Sequence, residues 1–229
     1  MITFFNSQTD MLSLLIYAVA YIMALFVAMP FHEFAHAFVA KKEGDYTATA
    51  LRRCTLAPHA HIDMKGFVCL MLLGFGWAKP VPVDERNFKR GKLSKFLVSI
   101  AGIVTNLLLG VVFIFIYVLI HKLKPELYRF GIYGRLVNEF LMLSISLNFS
   151  LAFFNLLPIY PLDGFKIIET FAKWDSPIID FLEKYSFILY ILIVFTSAYN
   201  YYFTYTAGFC IDKLLKLFCI ILGVWNEIW

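Results

Sequence analysis

The chain has 229 residues, of which 61% are hydrophobic and 16% charged, and its mean hydropathy is +0.74. A water-soluble domain is about half apolar and about a quarter charged, so two compact soluble domains and a disordered chain are both excluded. The formal net charge of +4 arises in loops, where basic residues set membrane topology, and no basic patch carries the aromatic platforms of a nucleic-acid surface.

Charged residues and histidines are absent from 11–31, 66–78, 96–120, 140–162 and 185–211. Four of these windows exceed the roughly 20 residues that cross a bilayer as a helix. The expectation is an all-α polytopic membrane protein with about five to six transmembrane helices. It is read as a single unit over 1–229, with a core at 11–170 and C-terminal helices at 185–229.

In chain order, the first span runs from Met11 to Ala40, broken only by the polar insert 32–36. It is longer than a perpendicular helix needs, which predicts tilt, and Pro30 predicts a kink. Residues 41–65 form a polar, basic connection. Residues 66–83 are apolar but hold Gly66, Gly74, Gly76, Pro80 and Pro82, a composition that suits a re-entrant or sheet-like insert. The loop 84–95 carries Arg86, Lys89, Arg90, Lys92 and Lys95 and is read as cytoplasmic. The 41–65 connection shares that side only if 66–83 does not cross; the basic loop 121–135 blurs the signal. Further spans are predicted at 96–120, 136–157 and 185–207, with an amphipathic helix over 163–184. The tail 208–229 reads as a last span or an interfacial helix, with Trp225 and Trp229 at the headgroups.

Cys54, Cys69, Cys210 and Cys219 show no CxxC spacing and imply no disulfide framework. The N-terminus lacks the basic residues of a cleaved signal peptide, and its apolar run is too long for one.

His32-Glu33-Phe34-Ala35-His36 is an H-E-x-x-H sequence. Positions i and i+4 share a helix face, so both imidazoles can reach one ion, and Glu33 beside them can accept a proton from water. Ionisable groups inside an apolar helix are expensive and mark function. The competing reading, a solvated insert at a membrane end, fits poorly with the apolar continuation Ala37–Ala40. Two histidines leave a catalytic zinc one protein ligand short. Asp163 stands out in Asn155-Leu-Leu-Pro158-Ile-Tyr-Pro161-Leu162-Asp163-Gly164. Alone it reads as an Asp-Gly turn facing water. Beside a site that needs a third ligand, an inward carboxylate is the better reading, with Gly164 supplying a sharp backbone.

H-E-F-A-H followed by N-L-L-P-I-Y-P-L-D-G resembles the site-2 protease family of intramembrane zinc metalloproteases. His61-Ile-Asp63, Gly74-Phe-Gly-Trp-Ala-Lys-Pro-Val-Pro-Val83 with Asn87-Phe88, and Ser99-Ile-Ala-Gly102-Ile-Val-Thr-Asn106 are similar to its compact bacterial and archaeal branch without a PDZ domain. Met64 and Ile103 depart from that branch, where proline is usual. The resemblance covers about residues 25–170. It implies one catalytic zinc ion on His32, His36 and Asp163, with Glu33 as general base and a transmembrane segment as substrate. For Asn155 it implies contact with an unwound substrate backbone. The plainer reading of Asn155, preferred for Asn148 and Asn106, is hydrogen bonding between helices. His59, His61 and Asp63 alternate as strand ligands would, but read better as loop residues.

The expected activity is intramembrane zinc-dependent endoproteolysis of membrane-embedded proteins, with the bilayer as the other partner and no nucleic acid or organic cofactor. The alternatives are a membrane transporter or metal carrier using the same histidines, and an inactive chaperone of single spans. Depth follows from helix rise. His32 lies roughly 14 Å from Lys41 and roughly 32 Å from Met11. The active site is therefore expected nearer the cytoplasmic face of a prokaryotic cell membrane.

Overall fold

The computed structural model describes residues 10–73, 76–129, 131–173, 176–196 and 198–224. The described residues are helical apart from turns and extended loops. The elements are α1 (Met11–Lys42), α2 (Thr47–Ala50), α3 (Met64–Leu73), α4 (Lys92–Leu123), α5 (Gly131–Asn155), α6 (Asp163–Phe171), α7 (Pro177–Lys184), α8 (Ser186–Phe195), α9 (Ala198–Phe203) and α10 (Phe209–Leu222).

Among the described residues, three helices are long and apolar enough to cross a membrane: α1, α4 and α5. They pack pairwise, up, down and up, around one buried seam. The seam is legible as rows at every fourth position. On α1 the row Ala20, Ala24, Ala28, His32, His36 and Ala40 is buried throughout. On α4 the matching row is Ser94, Val98, Gly102, Asn106, Gly110, Ile114 and Val118. Small residues let helix backbones approach where lipid offers no hydrophobic driving force between helices. Gly110 shows the consequence: a Cβ there would meet the Phe149 ring of α5 at 2.5 Å.

Pro30 lies within α1 without ending it. The segment predicted as one span over 185–207 is instead divided. Helix α8 ends where Thr196 turns extended, and a π turn at Thr204–Gly208 precedes α10. Helix α10 then packs against α4. Trp225 and Trp229 lie outside the described residues, as does Gly74.

The 66–83 insert goes in as helix α3 and returns as extended chain. Ile62 and Ala78 form a single antiparallel bridge, and the Lys79 N–H donates to the His61 carbonyl at 2.8 Å. Its two ends therefore lie side by side. Gly66 and Gly76 make the turn-back possible. A Cβ on Gly66 would sit 2.1 Å from the Trp77 carbonyl oxygen, and one on Gly76 would sit 2.1 Å from that of Gly66.

The polar loops on either side of the insert are bound together at one end of the bundle. Buried Asp45 accepts from the Asp84 N–H at 2.9 Å and from Asn87 Nδ2 at 3.0 Å. Burial opposes its ionisation, yet these bonds and those from Thr47 hold its carboxyl below the usual value. Glu43 accepts from Arg90 Nε at 2.9 Å and Ser94 Oγ at 2.6 Å. The Arg90 guanidinium, with Ser94, pulls the Glu43 carboxyl from 4.5 down to about 2. A depressed carboxylate stabilises the fold above its unfolded value, and that contribution is lost as pH falls through the folded one. The wild type should therefore melt higher than Glu43→Gln in detergent at pH 6. The gap should close between pH 4.5 and about 2. A gap that is constant over that range would show that the carboxylate does not hold the loops together.

Candidate metal centre

Helix α1 presents His32 and His36 one turn apart on its buried row, with ring centroids 4.7 Å apart. Helix α5 ends at Asn155, where the proline-rich loop begins, and the chain turns through 156–162 into α6. Asp163 is the first residue of α6, so it begins a helix and does not sit in an exposed Asp-Gly turn. Gly164 matters for a different reason from the one its sequence position indicates. Its φ is not in the left-handed region, but a Cβ would lie 2.3 Å from the Leu156 carbonyl oxygen. The loop folds back onto the start of α6, and only a residue without a side chain lets it do so. Asp163 is thereby delivered to the histidines.

His32 Nε2, His36 Nε2 and Asp163 Oδ2 form a triangle with all three edges at 3.1 Å. All three residues are buried. Among the described residues this is the one group of three or more metal-ligating side chains within reach of a common ion. His59 lies in a short 3-10 turn, and His61 points Nε2 at the Thr55 carbonyl at 2.7 Å; neither belongs to such a group.

The protonation of both imidazoles follows from their partners. His36 Nδ1 lies 2.7 Å from the Val98 carbonyl, which can only accept, so Nδ1 carries the proton. His32 Nδ1 lies 2.5 Å from Asn106 Oδ1. Asn106 is oriented by its own amide nitrogen, which donates to the Ala28 carbonyl at 3.3 Å and to Asn148 Oδ1 at 2.8 Å. His32 must therefore donate from Nδ1 as well. With both rings neutral, the Nε2 atoms then present lone pairs to each other and to a carboxylate oxygen. That oxygen is buried without a hydrogen-bond partner. Three acceptors converging in an apolar bundle suit a cation held between them.

The donor set fits zinc. Nitrogen and oxygen ligands at about 2.0–2.1 Å in a tetrahedron stand about 3.3 Å apart, close to the observed edges. Gly102 supplies the room: a Cβ there would fall 2.4 Å from His32 Cε1 and 2.5 Å from His36 Nε2. Lys166 holds the remaining oxygen of Asp163 at 3.1 Å.

Glu33 follows His32 directly on α1. Its Oε2 accepts the Val81 N–H at 2.9 Å, from the extended return of the insert. Pro80 and Pro82 have no N–H, so Val81 is the donor available at that point of the strap. Arg53 Nη2 fastens the strap from outside, at 2.7 Å from the Lys79 carbonyl.

Asn155 Nδ2 donates back to the Leu151 carbonyl at 3.0 Å. Asn106 and Asn148 do bond helix to helix, as their chemistry predicts. The sequence reading missed that Asn106 also fixes a histidine, and that Gly102 forms the floor of the cluster. The signal for both was present in the every-fourth-residue row of α4.

Two relatives are similar to this chain in sequence. "Putative zinc metalloprotease YwhC" of Bacillus subtilis is 39% identical over 206 residues, covering 87% of this chain and 91% of its own. The model described as Peptidase family M50 matches residues 133–198, from within α5 through the proline-rich loop, α6, α7 and α8. The chain belongs to that family. "Putative zinc metalloprotease MJ0611" of Methanocaldococcus jannaschii is 32% identical over 153 residues, covering 63% of this chain and 64% of its own. No solved structure matches. This M50 chain is thus a zinc metalloprotease, and its apolar helices make it an integral membrane protein.

Proposed function

We propose that this zinc metalloprotease hydrolyses peptide bonds within or near transmembrane segments of its substrates, toward the cytoplasmic side. The observation that carries the reading is the buried convergence of His32, His36 and Asp163 between helices long enough to span a bilayer. In this reading these three residues hold one zinc ion, Glu33 is the general base and Asn155 meets the substrate. The whole chain acts as one protease unit in a prokaryotic cell membrane.

Zinc, when bound, supplies Lewis-acid polarisation of the scissile carbonyl and lowers the pKa of water toward about 7. The chain's own residues do the rest. Val81 holds one oxygen of Glu33, which leaves the other to take the proton of the attacking water. Glu33 then passes that proton to the amine nitrogen as the C–N bond breaks. The Nδ1 bonds to Asn106 and Val98 keep both histidines in the tautomer that presents Nε2. Asn155 Nδ2 donates to Leu151, and its side-chain oxygen is left to accept from an exposed substrate N–H. A helical carbonyl is hydrogen-bonded and shielded, so the substrate must unwind locally, and water must reach the cluster.

The cytoplasmic direction is supported by charge and connectivity. Lys41 and Lys42 end α1 at the end where both basic loops are tied together. Mass spectrometry of product termini from a reconstituted reaction tests the proposal. Cuts inside the substrate span, in its cytoplasmic half, are expected. Cuts in the outer half, or in soluble loops alone, would overturn it.

A further inference from the structure

Between α1, α5 and the insert lies a cleft of about 110 Å³. One wall is Tyr21, Leu25 and Met29 of α1, the other is Leu147 and Leu151 of α5, and Trp77 of the insert covers it. Both walls are every-fourth-residue rows. Continued by one turn, the α1 row reaches Glu33 and the α5 row reaches Asn155. The cleft therefore lies along the two ridges that lead to the proposed base and the proposed substrate contact.

We infer that this cleft is a specificity pocket for one aliphatic side chain of the substrate, of leucine, isoleucine or methionine size. The inference rests on the proteolysis reading above. Size carries the first part of the argument. An apolar cavity of about 150 Å³ takes up benzene, so this slightly smaller space fits a branched or thioether side chain and excludes indole.

Chemistry carries the second part. The walls are mostly apolar, and of the Asp63 carboxylate in the lining one oxygen is engaged: Oδ1 accepts the N–H groups of Lys65 and Gly66, both at 2.9 Å. A charged or amide side chain would lose its hydration against these mostly aliphatic and aromatic walls. Reach carries the third. Met29 lies one helical turn, about 5–6 Å, from Glu33. Extended peptide advances about 3.3 Å per residue. The pocket therefore receives a side chain about two residues from the scissile bond, on the side toward the N-terminal end of α1. Leu147 and Leu151 are only partly buried, so their side chains shape the space without closing the bundle.

The test uses the full chain in proteoliposomes with a single-span substrate. Leu, Ala, Phe or Trp is placed in turn at each of four positions on either side of the cut. Wild type should prefer Leu over Ala and over Trp by about 10-fold or more in kcat/KM at one position, the discrimination usual for an apolar pocket. Leu151→Ala should move that preference toward Phe, and Leu151→Phe should move it toward Ala, each by about 10-fold. Leu147→Ala provides a second enlargement should Leu151→Ala fold poorly. Glu33-dependent cleavage with the same ratios in every variant would overturn the pocket and leave the protease reading standing. An equal fall for all substrates, or a rate that follows lipid acyl length at fixed ratios, would also overturn it. Absence of any Glu33-dependent cleavage would overturn the protease reading and the pocket with it.

Discussion

Replacing Glu33 by glutamine should abolish measurable proteolysis while the protein keeps its zinc. The expected loss is about 10²–10⁴-fold, the usual weight of a positioned base. Glutamine is nearly the same size, and its side-chain oxygen can still accept the Val81 N–H that fastens the strap. It cannot take a proton from water at neutral pH. His32, His36 and Asp163 are untouched, so metal binding should be unchanged. Co-expression with single-span proteins, with fragments read by gel and zinc by elemental analysis, checks both halves. Normal cleavage by the variant would remove Glu33 from the mechanism. Loss of cleavage together with zinc would assign the residue to the metal site.

An equally large effect is expected from a single methyl group at Gly102. In Gly102→Ala the added carbon would lie 2.4–2.6 Å from three atoms of the two imidazole rings. Neither ring can swing aside cheaply. His32 is pinned through Nδ1 to Asn106, and His36 through Nδ1 to the Val98 carbonyl on the same helix as Gly102. The methyl group must therefore push the helices apart or break both bonds. A displacement of about 1 Å costs about 10²-fold in a site that depends on alignment. Zinc content should fall well below one per chain, with helix content near wild type. Asp163→Ala should lower zinc in the same way by removing the third donor. Gly110→Ala is the control. Its Cβ meets the Phe149 ring, so it should cost about 1–3 kcal/mol in packing and leave zinc in place. Full zinc occupancy in Gly102→Ala would show that the cluster has slack that these contacts deny.

The sequence by itself determined the membrane class, the long apolar helices and the facing of His32 and His36. These are properties of composition and of helical period, which are local. It also pointed to an insert that turns back, because its glycines and prolines make a poor spanning helix, and left open whether that insert crosses. It did not predict the break after α8, since hydropathy in 185–207 is uniform and says nothing of helix continuity. Gly164 was singled out correctly but for the wrong reason. Its need for a bare Cα comes from the folding back of 156–162, which no local pattern reports. Only tertiary structure decided what surrounds the histidines. Asn106 reads from sequence as a helix–helix hydrogen bond and becomes a histidine's anchor because α4 crosses α1 at that turn. The meeting of Val81 with Glu33, and of Asp163 with both imidazoles, likewise joins segments far apart in the chain. Such contacts depend on how helices cross and loops fold back. Helix period fixes which face a residue occupies; packing alone fixes what that face meets.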